Sequence, residues 1–181
     1  PMKEENGYKY VLNIVCEYSR FMILIPQKTV SADETASALV KTMMTFGIPL
    51  EIKSDQGTAF KNKLLKYITQ KWNLDHRFSV PYTPRSNGVV ERSNKSIGEM
   101  LRVSVTKDKS WLDMLSFVNH AYNTSVHRTL GKSPFEVLFG RPAVNMLDVN
   151  LMIHTDGTNL ERYKQVFDDG LVIADRIRRT Q

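Results

Sequence analysis

Asp55 and Glu91 are the acidic residues whose neighbours set them apart. Asp55 follows the short stretch EIKS and precedes Gly57, so it is placed where a strand gives way to a turn. Glu91 follows a Pro- and Gly-containing loop and is expected in the first turn of a helix. Thirty-five residues separate the two. Carboxylates suit Mg²⁺, which takes hard oxygen ligands in near-octahedral geometry and keeps several positions for water or phosphate oxygens. Two such ions, about 4 Å apart, activate an attacking oxygen and stabilise the leaving one in an in-line displacement. Taken singly, an Asp at a strand end also reads as a turn cap. A Glu in a first helical turn is favoured by the helix dipole in any case. Spacing alone does not define a metal site.

The elements that must position these residues are legible in outline. Tyr8 to Glu17 (YKYVLNIVCE) is apolar and β-branched enough for a largely buried strand, and Phe21 to Pro26 (FMILIP) for a second. The short link YSR predicts an antiparallel hairpin. Ser31 opens a helix with S-A-D-E as its capping box, Ala36, Leu39, Val40, Met43 and Met44 line one side, and Gly47 with Pro49 ends it. After the strand Glu51 to Ser54, a helix is expected from about Phe60 to Trp72 and a strand over Leu74 to Val80. The loop PYTPRSNG holds two prolines and an Asn-Gly pair, which predicts irregular structure. Beyond Gly88 a helix runs to about Val105, a second runs from the Ser110 cap to Asn123, and a short one starts at Ser133-Pro134. Residues 145 to 158 read as irregular, and Leu160 to Ile177 as a last amphipathic helix ending in RIRR. Strands and helices mix first, and helices alone follow, so the class is α/β or α+β with the sheet in the first half.

Composition bounds the rest. The 181 residues suffice for one ordinary domain and a tail, and 41% hydrophobic with 24% charged residues is a globular balance. No run nears the roughly 18 apolar residues of a bilayer span. The polar start PMKEENGYKY shows no signal peptide. The lone cysteine, Cys16, cannot close an internal disulfide, which fits a reducing compartment, and it reads as a small core residue. The four histidines, His76, His120, His127 and His154, have no zinc spacing with it, and His120 and His127 read as surface or packing residues. The net charge of +6 favours polyanions without proving contact with them. Arg85 and Arg92 flank the loop before Glu91, where they suit salt-sensitive, sequence-blind phosphate contacts.

Three stretches carry a resemblance: KSDQGTAF, PYTPRSNGVVERSNK, and WLDMLSFVNHAYNTSVHRTLGKSPFEVLFGRP. Together they resemble the integrase catalytic core of long-terminal-repeat retrotransposons, especially Gypsy-like ones, and of retroviruses, over about Gly7 to Pro142. The resemblance implies a ribonuclease H-like α/β fold, a mixed sheet flanked by helices. It implies a polynucleotidyl transferase that performs 3′-end processing and strand transfer in DNA integration, with two Mg²⁺ (or Mn²⁺) ions. Asp55 becomes the second acidic residue and Glu91 the third, both catalytic and metal-binding. Asn87 and Gly88 fall in the mobile loop that approaches the DNA end. Asn94 and Lys95 share the helical face of Glu91 and contact terminal nucleotides, with Lys95 the phosphate contact, although it also reads as a solvated surface lysine. Partners implied are DNA (element ends and target) and further copies of the chain. The setting implied is a polyprotein product in the nucleus and a cytoplasmic particle, with no membrane.

The resemblance places a first Asp in a pattern like Asp-x-x-Gly-Pro just upstream of Pro1, on a central first strand that this sequence lacks. Asp33, at a helix start, and Glu17, in the hairpin, are no substitutes. Two strand edges are then expected to lie unpaired, giving this polypeptide alone weak metal affinity, no strand transfer and poor stability. Whether it acts as an enzyme is therefore left open. The amino-terminal His/Cys zinc module of integrases is likewise not seen. Residues 1–144 are expected as the core, and 145–181 as linker and C-terminal helix. The competing reading is a non-catalytic nucleic-acid-binding or assembly protein derived from an integrase, which has no need of both carboxylates beside DNA phosphate. A ribonuclease H-type nuclease is a third, against which the helix-rich second half counts.

Overall fold

The computed structural model describes residues 2–79, 84–106 and 109–143, with residues 84–87 described only as helix backbone. The irregular stretch and final helix expected within 145–181, the linker and C-terminal helix, lie outside the described residues.

Strands β1 (Tyr10–Val15) and β2 (Met22–Gln27) form the hairpin. It is antiparallel: the Lys9 N–H donates to the Gln27 carbonyl at 3.1 Å and the Cys16 N–H to the Phe21 carbonyl at 2.9 Å. In β2, Met22 and Leu24 are buried and Ile23 and Ile25 less so, the period-two pattern of a strand with one covered face. Cys16 departs from expectation. The strand ends at Val15, so Cys16 opens the turn, its thiol is exposed, and its Sγ accepts the Ser19 N–H at 3.5 Å. Ser19, not Cys16, is the buried residue of that turn.

Helix α1 (Ala32–Phe46) is capped by Ser31, whose hydroxyl accepts the Glu34 N–H at 3.2 Å. The reciprocal half of the capping box is replaced. Glu34 reaches past Ser31 to accept from the Lys28 N–H, the Thr29 N–H and the Thr29 hydroxyl, each at 2.8 Å. Partial burial raises its pKa, but these donors outweigh it and hold the carboxyl below its ordinary value. At the other end the Gly47 N–H closes on the Met43 carbonyl with φ of 95°, a backbone that glycine adopts freely.

Strand β3 (Glu51–Ser54), helix α2 (Lys63–Lys71) and strand β4 (Asp75–Phe78) make a parallel strand pair with a helical crossover. The pairs β1–β2 and β3–β4 are separate two-stranded sheets, and no described strand joins them. Helix α3 (Pro84–Ser104) is longer than expected, because it begins at Pro84 instead of after Gly88. Proline suits a first helical position, and a glycine inside a helix costs only about 1 kcal/mol. Helices α4 (Trp111–Thr124) and α5 (Pro134–Phe139) follow, each with both halves of a capping box, at Ser110/Asp113 and Ser133/Glu136.

The described residues within Pro1–Asn13 and Ile25–Arg92 form one compact unit, and those within Ile14–Leu24 and Ser93–Gln181 a second. In the first, α1 packs on α2, with Ala36, Leu39, Met43 and Leu65 buried. In the second, α4 packs on α5, and Met22, Trp111, Met114, Leu115 and Val118 are buried.

Asn123 is the polar residue on which the second core turns. Its Oδ1 accepts the Met22 N–H at 2.8 Å and its Nδ2 donates to the Met22 carbonyl at 2.7 Å. One amide side chain thus serves both main-chain groups of a fully buried strand residue, as a neighbouring strand would. Asn123→Ala is expected to lower stability by about 2–5 kcal/mol, since each orphaned buried group costs about 1–3 kcal/mol. Urea unfolding followed by fluorescence of the buried Trp111 checks this, and a loss under about 1 kcal/mol would contradict it.

Candidate functional site

The site is built at the exit of β3. The parallel register pairs Glu51 with Asp75, Ile52 with His76, Lys53 with Arg77 and Ser54 with Phe78. The ladder continues one bond further, where the Ser79 N–H donates to the Ser54 carbonyl at 2.8 Å, seconded by the Ser79 hydroxyl at 3.2 Å. Asp55 then leaves the sheet with an exposed side chain.

Two local bonds hold Asp55. The Ser54 hydroxyl donates to the Asp55 carbonyl at 2.9 Å. The Asp55 Oδ1 accepts the Gly57 N–H at 2.9 Å, the side-chain-to-backbone turn typical of Asp. The carboxylate therefore reads partly as the turn cap that its position suggests. Oδ2 carries no hydrogen bond among the described residues, so one oxygen is tied and the other is open to a ligand. Gly57 leaves room for this bond: a Cβ there would lie 2.9 Å from Asp55 Oδ1, so the carboxylate would have to swing aside. The turn then hands over to α2, whose cap Asn62 accepts the Leu65 N–H at 2.8 Å.

Glu91 is exposed on α3, but its setting differs from expectation. Because α3 starts at Pro84, Glu91 lies two turns inside the helix, and the first turn holds no acidic residue. The helix dipole, felt chiefly in the first turn, therefore does not account for it. Asn87 and Gly88 fall within the helix and not in a loop before it, and so does the backbone of Arg85. Arg92 is exposed and donates from Nε to the Gly88 carbonyl at 2.7 Å, one helical turn back. Asn94 and Lys95 are exposed, whereas Ser93, Ile97, Met100, Leu101 and Ser104 are buried. Helical spacing thus puts Glu91 and Lys95 on the open face.

Two residues that sequence reasoning missed, Ser54 and His76, adjoin Asp55. His76 Nε2 lies 2.9 Å from Ser54 Oγ, and its ring centroid lies 4.4 Å from that of Phe78. No spacing signal could have found His76, because only the strand register brings it within reach of Ser54. Burial pushes its imidazole below the ordinary value, with Asp75 pulling weakly the other way. Among the described residues, no group of three or more His, Cys, Asp and Glu side chains gathers as a metal cluster. Asp55 and Glu91 still offer what a hard divalent cation takes: accessible carboxylate oxygens, one at Asp55 uncommitted.

Comparison with known proteins defines the class. Residues 1–84 match the integrase core domain family. Over 170 residues, 92% of the chain, the sequence is 31% identical to the Transposon Tf2-3 polyprotein of Schizosaccharomyces pombe, and the Tf2-4 polyprotein matches equally. The chain spans 13% of the length of these relatives. Among solved structures it is similar to a chain of the simian T-cell lymphotropic virus intasome in complex with PP2A regulatory subunit B56 gamma. That match has TM-score 0.63 and 20% identity, covering 71% of this chain and 52% of that one. It is also similar to the HTLV-2 integrase catalytic core domain in complex with magnesium (trimeric form). Here the TM-score is 0.57 with 19% identity, over 71% of this chain and 91% of that one. The fold is the ribonuclease H-like integrase core. Over residues 1–84 the chain matches the integrase core domain, and over 92% of its length it is similar to retroelement polyproteins.

Two outcomes follow. Gly57→Ala is expected to drive the Asp55 carboxylate aside and break its bond to the residue 57 N–H, seen as an upfield move of that amide proton. An unmoved resonance would contradict this. His76, with a lowered folded pKa, contributes stability that is present above its unfolded value of about 6.5 and lost as pH falls through the folded one. The urea midpoint is expected to drop between pH 7.5 and pH 5 by more in the unaltered protein than in His76→Gln; equal drops would contradict it.

Proposed function

We propose that this domain is the polynucleotidyl transferase core of a retroelement integrase, which performs 3′-end processing and strand transfer in DNA integration as part of a longer polypeptide and is inactive as residues 1–181 alone, with Asp55 and Glu91 as its carboxylate metal ligands. The observation that carries the proposal is the integrase core match over residues 1–84, which includes Asp55 at the exit of β3. That match stops before Glu91, whose role rests on the resemblance of PYTPRSNGVVERSNK and on its exposed position in α3.

Mg²⁺, or Mn²⁺ in its place, supplies Lewis acidity and charge neutralisation at the phosphodiester when bound. The magnesium in the HTLV-2 integrase core supports that choice. The chain's own residues orient and hold. Gly57 fixes one Asp55 oxygen, which leaves the other for the cation. Lys95, one helical turn from Glu91, offsets phosphate charge beside the acidic group that would otherwise repel DNA. Arg92, with Nε engaged by Gly88, keeps its terminal guanidinium nitrogens for backbone phosphate. Arg85, Asn87, Gly88 and Asn94 complete the proposed DNA contacts, to element ends and to target DNA. Self-association belongs to the proposal too, supported by the intasome and the trimeric form of the two structural relatives. So do residues 1–144 as the core, 145–181 as linker and C-terminal helix, and the nucleus and a cytoplasmic particle as the places of action.

The test is joining of a labelled element-end duplex to target DNA, in the presence of Mg²⁺ or Mn²⁺, by a longer polypeptide in which residues 1–181 are preceded by the upstream segment. Asp55→Asn and Glu91→Gln are each expected to lower the rate by at least about a hundredfold, the loss of several kcal/mol of charge stabilisation. Lys95→Ala is expected to weaken DNA binding and reduce the salt slope by about one. Joining that survives both carboxylate changes would refute the assignment.

A further inference from the structure

Ser54 is buried at 8% exposure, and its hydroxyl carries a single proton that must serve two neighbours. One is the Asp55 carbonyl and the other is His76 Nε2, each at 2.9 Å. The Asp55 carbonyl has no other hydrogen-bond partner among the described residues. The hydroxyl donates to the Asp55 carbonyl, and its oxygen accepts from Nε2 in the tautomer that carries its proton there. Ser54 and Ile52 lie on one face of β3, and His76, paired with Ile52, lies on the same face of β4. The contact is a diagonal one that only this register produces. Phe78, opposite Ser54, stands against the imidazole at an interplanar angle of 48° and limits its rotation.

We propose that His76 is a positioning residue for Asp55, acting through Ser54: its Nε2–H donates to the Ser54 hydroxyl, which donates to the Asp55 carbonyl and fixes the main chain where β3 ends. With its main chain held from the sheet side and Oδ1 held by Gly57, Asp55 is tied through backbone and side chain and presents Oδ2 in one direction. The inference deepens the reading of Asp55 as a metal ligand and rests on it. Groups that hydrogen-bond to the ligands of a metal orient them, and their loss weakens the site although they never touch the ion.

The test uses the ¹⁵N-labelled chain of residues 1–181 and Mn²⁺ alone as probe. Long-range ¹H–¹⁵N correlation at neutral pH is expected to show His76 with its proton on Nε2, and Ser54→Ala is expected to shift that signature. Mn²⁺ titration is expected to broaden the amides of residues 55 to 57. Ser54→Ala and His76→Phe are expected to raise the Mn²⁺ concentration needed by about tenfold. His76→Gln, whose amide nitrogen can donate in place of Nε2, is expected to restore it. A proton on Nδ1, or Mn²⁺ binding unchanged in both Ser54→Ala and His76→Phe, overturns the positioning role. Asp55→Asn separates that failure from the other: broadening that persists in this variant overturns the metal role of Asp55 and the inference with it. Broadening lost in Asp55→Asn but untouched in His76→Phe overturns the inference alone.

Discussion

The parallel pairing of β3 with β4 is the constraint on which the candidate site depends. Its register brings Ser54 opposite Phe78 and leaves Asp55 just past the last ladder bond. A slip of one residue would turn Ser54 and Asp55 to the other faces of the strand and take His76 away from the Ser54 hydroxyl. A carboxylate inside the ladder would have neighbours on both sides. At the strand end it is reached by solvent, and its direction is set by two short-range bonds, one to its main chain and one to its side chain. Gly57 allows the second of these by having no Cβ to collide with the carboxylate.

The second unit solves a different problem, that of satisfying a buried strand residue. Met22 is fully covered, so its main-chain groups cannot turn to water. Asn123 meets both, and α4 holds Asn123 at that depth by burying Trp111, Met114, Leu115 and Val118. Capping boxes at Ser110 and Ser133 satisfy the first donors of α4 and α5, so neither helix start spends its hydrogen bonds on solvent alone.

Helix α3 connects chemistry to packing by having two unlike faces. Its buried positions include two serines, Ser93 and Ser104, and the Ser104 hydroxyl returns its proton to the Met100 carbonyl at 2.8 Å. Small hydroxyl residues can be buried in a helix because the preceding turn supplies an acceptor. The exposed positions carry Glu91, Arg92, Asn94 and Lys95, a mixture of one acid and several polar or basic groups. At 19–20% identity to the solved integrase chains, the likeness is one of fold.

Local chemistry was legible in the residues themselves. The strands, the cap residues Ser31, Ser110 and Ser133, the end of α1 at Gly47 and the strand-end placement of Asp55 all follow from propensities acting within a few residues. The motif words around Asp55 and Glu91 resemble the integrase core by themselves. What sequence could not decide were choices between two locally acceptable states. Pro84 serves equally as a loop residue or as a helix start, so the start of α3 and the depth of Glu91 within it were misjudged. Cys16 sits one residue past the end of β1, where a one-residue shift separates a core side chain from an exposed turn. The Ser54–His76 bond and the Asn123–Met22 pair join residues 22 and 101 positions apart. Only tertiary structure decides such contacts, because they come from strand register and helix packing, which no short window of residues encodes.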